Sequence, residues 1–369
     1  MSSPPVRSWP PLAAFAAARM VSAAVAWTSG FPPLDPQTWV RWDSVLYLRI
    51  AERGYQIERC RPETGLPAGN WCGTTGWFPA YPWLIALFTK LGGAPAWWGV
   101  LLALAAHCGL LWIVWRHLLG GQVTPRNLAV LVLAAFFPGA IYLQAVFPIS
   151  LCLFLAAGCL VACARERFVL AAALGAAAAF TYTTGFLLGV AWAAWLLLGA
   201  QPRERDWHRL LPLLGIGAGF VAAVAVMAVQ TGLPDAFFLT QAAYGYGPSD
   251  PLHTLFVRVA PLFSSARFAE KAAGFQSLLA TALAALACAG AWQRRRDPFA
   301  FLLGAWAAAF WLFPLVLGGR ISLYRAESLL LPSVALVREA PLPLLVLLAA
   351  CAVAVSLPIA LGFFRGILI

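Results

Sequence analysis

Asp43 is the residue of this chain best placed to take up a proton. It stands in a polar-aromatic run from Trp39 to Tyr81 that reads WVRWDSVLYLRIAERGY, then a loop with two cysteines, then WFPAYPWLIAL. Carboxylates are scarce, with 14 Asp plus Glu among 369 residues, so one set in a tryptophan-rich segment is a candidate for general-base work. Trp39, Trp42, Leu46 and Ile50 step by three and four, which predicts one helix over Gln37–Arg53 with these four on a shared face. Arg41, Asp43, Ser44, Tyr47, Arg49 and Glu52 fill its other positions. Such a helix would lie in the membrane interface, tryptophans at headgroup level and polar side toward water. Spacing leaves a second reading open, in which Asp43 caps a helix that begins at Ser44. Glu52 either shares a metal ion with Asp43 or pairs with Arg49 at i, i+3, the commoner arrangement.

Membrane helices must position these residues. Hydrophobic residues make up 62% of the chain, charged residues 11%, and the mean hydropathy is +0.80. A soluble domain carries about a quarter charged residues, so composition predicts an all-α polytopic membrane protein. Apolar segments cover about 12–28, 79–91, 96–115, 128–143, 150–164, 168–180, 185–199, 210–231, 274–292, 299–317, 328–337 and 342–363. They give about ten to twelve transmembrane helices in a single membrane-embedded domain over residues 1–369. Ala24-Val25-Ala26 resembles a signal-peptide cleavage site, but Arg19 interrupts the apolar region and favours a retained first span. A charge there, near mid-span, is a functional suspect or a snorkelling side chain.

The net charge of +11 sits in short clusters between apolar runs, which is a topology signal and excludes a nucleic-acid groove. Residues 116–126, 165–167, 203–209 and 294–296, with Arg7, are expected on the cytoplasmic side. The first loop (30–78), residues 144–149 and 182–184, the second large loop (232–272) and residues 318–325 then share the extracytoplasmic face. If every segment spans, residues 116–126 fall on the wrong side, and the cheapest repair makes 79–91, about 13 residues, a re-entrant or surface hairpin. No internal repeat or inverted pair of interrupted helices is visible. No Walker loop, dinucleotide fingerprint, nucleophile elbow or zinc pattern occurs, and His107, His117, His208 and His253 show no metal spacing.

Trp42, Asp43, Tyr47, Leu48, Ile50, Ala51, Gly54 and Tyr55, followed by Phe78, Pro79, Tyr81 and Pro82, resemble the first lumenal loop of the PIG-V (GPI mannosyltransferase II) family and its bacterial relatives. There a WD pair precedes a Y-L-x-I-A-x-x-G-Y segment, and an F-F-P-x-Y-P element follows. Fainter similarity lies in Ser322, Tyr324 and Arg325 and in Gln241–Pro248. Two positions depart: relatives carry Glu before Ser where this chain has Ile149-Ser150, and Arg within the segment Thr181–Gly185, around Tyr182. The resemblance implies a GT-C-like fold with amphipathic helices in the first extracytoplasmic loop. It implies an inverting glycosyltransferase moving a sugar, mannose by analogy, from a polyprenyl-phosphate carrier to a lipid, glycan or protein acceptor. An acidic residue of that loop, here Asp43, is the family's usual candidate base.

Transfer from a phosphate-linked sugar passes through an oxocarbenium-like state while the acceptor hydroxyl loses a proton. The phosphate calls for a cation, and Arg offers bidentate geometry. Arg325 and Arg320 are expected to bind donor phosphate, since topology puts their loop on the face of Asp43; Arg41, Arg49 and Arg258 are weaker candidates. Trp42, Tyr47, Tyr55, Tyr81, Glu52 and Tyr324 are the expected substrate contacts, although interfacial tyrosines are also ordinary. Cys60 and Cys72 stand together on the oxidising side and are a candidate disulfide, while the other six cysteines lie in apolar runs. No cofactor or metal is called for, and membrane lipids are the surroundings. The rival readings are a lipid or glycolipid transporter, which predicts charges along a mid-membrane path where only Arg19 is found, and a degenerate relative acting as a membrane scaffold.

Overall fold

The computed structural model describes residues 7–62, 66–67, 69–199, 207–245, 247–318 and 323–367. The chain opens with α1 (Trp9–Thr28), whose first-turn prolines sit where backbone N–H groups need no helical partner. The first loop holds a 3-10 turn at Pro36–Trp39, then α2 (Ser44–Arg53) and a hairpin of β1 (Ile57–Arg59) and β2 (Trp71–Gly73). The strands pair antiparallel with Glu58 opposite Cys72, and Cys60 and Cys72 form a disulfide. There follow α3 (Ala80–Thr89), α4 (Pro95–Ile113), α5 (Pro125–Ala135), α6 (Ile149–Ala164), α7 (Phe168–Thr181), α8 (Leu187–Ala194) and α9 (Leu211–Thr231). The second large loop carries α10 (Ala236–Ala243) and α11 (Pro251–Val259). Then come α12 (Phe268–Gln293), α13 (Pro298–Val316), α14 (Leu323–Ala326), α15 (Val334–Val337) and α16 (Leu342–Phe364).

The chain is an all-α polytopic membrane protein. Among the described residues, 6 helices are long and apolar enough to cross a bilayer: Trp9–Thr28, Pro95–Leu118, Trp207–Thr231, Phe268–Gln293, Pro298–Val316 and Leu342–Phe364. Other apolar helices reach only 10–17 residues. Breaks inside apolar runs make them short. The run at 128–143 stops being α-helical at Ala135 because Pro138 and Gly139, at φ +79°, cannot continue it. The run at 328–337 begins as a 3-10 segment with Pro332 inside it.

Two ends of the bundle differ in chemistry. Arg165 bonds His117 at 2.8 Å, Trp115 Nε1 donates to the carbonyl of Arg7, and Glu339 lies 4.0 Å from Arg126 and 3.9 Å from Arg294. The described basic residues at 116–126, 165–167 and 294, with Arg7, thus gather at one end. Asp43, Thr183, Gln241 and Arg325 gather at the other. Both ends of α3 stay at this second end: Phe78 packs on Phe237, and Phe88 stacks on Trp98 at the start of α4. A helix of 10 residues is about 15 Å long and cannot cross about 30 Å of hydrocarbon.

The packing is unusually close between α7 and the first half of α9, toward the end that holds the basic loops. A Cβ on Gly215 would collide with the carbonyl oxygen of Ala172, and one on Gly219 with that of Ala176. The two backbones touch, a packing that small residues permit between membrane helices.

The single helix expected over Gln37–Arg53 is corrected. It breaks at Trp42, whose φ of +47° lies in the left-handed region. Trp39, expected at headgroup level, is instead in the core: its indole donates to the carbonyl of Pro33, its ring packs on Phe364, and the Arg19 guanidinium stacks 3.4 Å above it. Anchoring Trp39 inward forces the chain to turn before α2 can start.

Candidate active site

Asp43 stands at the first position before α2, where a carboxylate ordinarily caps the helix. Its side chain makes no capping bond. It turns instead to Arg325, whose Nη1 donates to Asp43 Oδ2 at 2.5 Å, joining residues 282 apart in sequence. The side chains are 26% and 12% exposed, so the pair is neither a surface contact nor sealed from a ligand. Burial works against the charge of Arg325, but the Asp43 carboxylate more than offsets it and holds the guanidinium above its ordinary pKa. The guanidinium carbon also lies 5.5 Å from the ring of Phe147.

The pair forms part of the wall of a cavity of about 480 Å³. Around it are Tyr47, Tyr182, Thr183, Thr184 and Gln241, and beyond these the lining turns apolar with Phe186, Phe220, Phe237, Phe313, Leu317 and Leu329. Gln241 Nε2 and Thr183 Oγ1 both donate to the carbonyl of Gly76 at 3.3 Å, while the buried Thr184 hydroxyl has no partner. Burial, with Tyr182 and Asp43 nearby, pushes the Tyr47 phenol well up, so it serves as a neutral hydrogen-bonding group. One end of the cavity offers a carboxylate, a guanidinium and hydroxyls; the rest offers aromatic and aliphatic surface. This arrangement suits a ligand with an anionic, hydroxylated head and a hydrocarbon tail.

Of the expected substrate contacts, the structure brings Tyr47 to the cavity with Asp43 and Arg325. Arg320 and Ser322 lie outside the described residues. Five others stand off the lining of this cavity. Tyr55 is buried with its hydroxyl donated to the carbonyl of Trp77 at 2.7 Å, and Tyr81 likewise donates to that of Gly99 at 2.6 Å. Both phenols are occupied by backbone. Trp42 packs on Tyr142 and Phe363, and Tyr324 is buried with its carbonyl bonded to Gln276. Glu52 is exposed at the other end of α2, about 13 Å along the axis from Asp43, so it neither shares an ion with it nor pairs with Arg49. Among the described residues no three His, Cys, Asp or Glu side chains gather as metal ligands.

The weaker arginines have other contacts. Arg41 donates to the carbonyls of Gln37, Val40 and Phe364 and so staples the first loop to α16. Arg258 lies 5.5 Å from the Tyr324 ring, and Arg49 and His253 are exposed off the cavity. Ile149 is buried at the start of α6, whereas Tyr182 lines the cavity. Sequence reasoning missed Thr184, Gln276 and Glu327. The signal was there in outline: a Gln and a Glu facing apolar runs must find partners when buried.

No protein-family model matches the chain, and no curated protein sequence does. Solved structures do. The crystal structure of ArnT from Cupriavidus metallidurans bound to undecaprenyl phosphate superposes with a TM-score of 0.57 at 14% identity, covering 96% of this chain and 75% of that one. The apo state of the same protein gives 0.52 at 14% identity, covering 94% and 75%. The fold is GT-C-like. That likeness takes in nearly the whole chain.

Proposed function

We propose that this chain is a membrane-embedded inverting glycosyltransferase that takes its sugar from a polyprenyl-phosphate carrier. The observation that carries the reading is the Asp43–Arg325 pair at the polar end of an otherwise apolar cavity. The GT-C-like fold, and the undecaprenyl phosphate bound by ArnT in the neighbouring structure, support it. Asp43 is the base and Arg325 the donor-phosphate ligand, with Arg320 a further candidate. In the reaction the bond from sugar C1 to phosphate oxygen breaks and a bond from C1 to the acceptor oxygen forms on the opposite face. The acceptor proton passes to Asp43. The phosphate leaves on its polyprenyl chain with a second negative charge, which Arg325 stabilises more than it stabilises the singly charged donor.

Asp43 and Arg325 neutralise each other in the ion pair. A donor phosphate competes with Asp43 for the guanidinium, and as Arg325 engages it the carboxylate is released to the acceptor. Mannose is the sugar, on the resemblance of the first loop to PIG-V proteins, and the acceptor is a lipid, glycan or protein hydroxyl. Tyr182, where those relatives carry Arg, argues for an acceptor unlike theirs. The clustering of basic loops at the opposite end supports an extracytoplasmic active site by the positive-inside rule. The test is transfer from radiolabelled polyprenyl-phosphate mannose by membranes holding wild type or Asp43→Asn. Labelled product from wild type, with a ~10²-fold or greater loss in the variant, is expected. No transfer by wild type from any of several polyprenyl-phosphate sugars would end this reading.

A further inference from the structure

Arg325 lies in α14, which passes directly into the 3-10 segment Glu327–Ser333 and so has no long helix of its own to fix its register. A buried hydrogen-bond network holds this segment against α12. Gln276 reaches from α12 and makes three bonds: Nε2 donates to the Tyr324 carbonyl at 2.9 Å and to Glu327 Oε2 at 2.7 Å, and Oε1 accepts from the Gly139 N–H at 3.0 Å. Ser328 Oγ donates to the carbonyl of Arg325 at 2.6 Å. Gly139, at φ +79°, closes the arrangement, because a Cβ there would stand 2.7 Å from the Tyr324 carbonyl oxygen. The carbonyls of Tyr324 and Arg325 are therefore both held, and the carboxyl two residues further on is tied to the same glutamine.

Gln276 and Glu327 are both buried, at a place where an apolar pair would fill the volume without the cost of desolvating a carboxyl and an amide. What apolar residues could not do is fix the turn at one height against α12. We infer that Glu327 and Gln276 are positioning residues for Arg325, setting where its guanidinium meets the phosphate of the donor. The inference rests on the assignment of Arg325 to that phosphate. Misplacing a charged, planar ligand group by about 1 Å is enough to cost ~10²-fold.

The experiment uses the purified full chain in lipid nanodiscs, with two readouts: equilibrium binding of undecaprenyl phosphate and steady-state transfer with donor and acceptor varied separately. Glu327→Gln retains an oxygen to accept from Gln276, and should hold the donor KM within ~3-fold of wild type. Glu327→Leu and Gln276→Leu should each raise the donor KM and the undecaprenyl phosphate Kd by ~10–100-fold and leave the acceptor KM unchanged. A role in folding alone would lower kcat with the active fraction and leave both KM values where they were; that result overturns the inference, as does a normal donor KM in Glu327→Leu. If Glu327→Leu does not fold, Gln276→Leu carries the same comparison. Wild type that neither binds undecaprenyl phosphate nor transfers sugar would remove the functional reading and this inference together. Wild type that does both, beside unaffected leucine variants, would remove the inference alone.

Discussion

Asp43→Asn should separate two effects that a simple loss of structure would confound. Asparagine keeps the size of the side chain and one oxygen facing Arg325, but it can neither accept the acceptor's proton nor neutralise the guanidinium. Loss of the base should lower kcat by ~10²–10⁴-fold. The effect on the donor runs the other way. Arg325 is paired with Asp43 at 2.5 Å in a site where the partners are 12% and 26% exposed. A hydrogen bond between charged groups there is worth about 1.5–3 kcal/mol, discounted for the exposed quarter of Asp43 to roughly 1–2 kcal/mol. A donor phosphate must displace that bond in wild type and need not in the variant. Undecaprenyl phosphate should therefore bind Asp43→Asn ~5–30-fold more tightly, and a ligand with no phosphate should show no change. Isothermal titration beside a single-turnover transfer assay reads both numbers. A variant with unimpaired kcat, or one whose phosphate binding weakens as its rate falls, would refute the exchange of partners at Arg325.

Other outcomes follow from the same geometry. Arg325→Lys keeps the charge but loses the planar fork, so donor KM should rise ~10–100-fold with acceptor KM unaffected, measured by varying each substrate in turn. Cys60→Ser with Cys72→Ser opens a loop spanning 12 residues and should cost about 3 kcal/mol of hairpin stability, read as earlier proteolytic nicking of the first loop and a lower Tm. Glu327 lies outside the six long spans, and burial pushes its carboxyl from the ordinary 4.5 up to about 7. Its folded state binds the proton more tightly than the unfolded chain, so stability falls as pH rises from 4.5 to 7, by up to about 3 kcal/mol. Thermal unfolding in detergent at pH 5 and pH 8 should show this loss in wild type, and Glu327→Gln should abolish it; an equal slope in both would exclude Glu327 as its source.

Legibility in the sequence followed the range of the interactions. Asp43 stood out because a carboxylate is rare in an apolar chain, and Arg325 because counting spans put its loop on the same face. That the two form an ion pair could not be read, since 282 residues separate them and only the fold closes the distance. Trp39 and Trp42 keep a helical spacing, yet one is drawn inward against Phe364 and the other takes φ +47°. Periodicity reports a local preference, and here tertiary packing overrides it. Tyr55 and Tyr81 were matched by type to a ligand-stacking role, but the backbone carbonyls of Trp77 and Gly99 claim their hydroxyls. Gln276 and Glu327 escaped notice because each is one polar letter beside a long apolar run, and its partner lies about fifty residues away.

The contact of α7 with α9 also limits how the cavity can change shape. With Gly215 and Gly219 lying directly on the carbonyls of Ala172 and Ala176, no side chain on that seam can rotate to make room. The seam behaves as a hinge-free back plate: α9 presents Phe220 from it, and the chain leaving α7 presents Tyr182 and Thr184. The opposite side is built differently. There α13 contributes Phe310, Phe313 and Leu317 around Pro314, a residue that leaves its helix one backbone bond short. The cavity is therefore backed by two helices in backbone contact on one side and by a helix interrupted at Pro314 on the other.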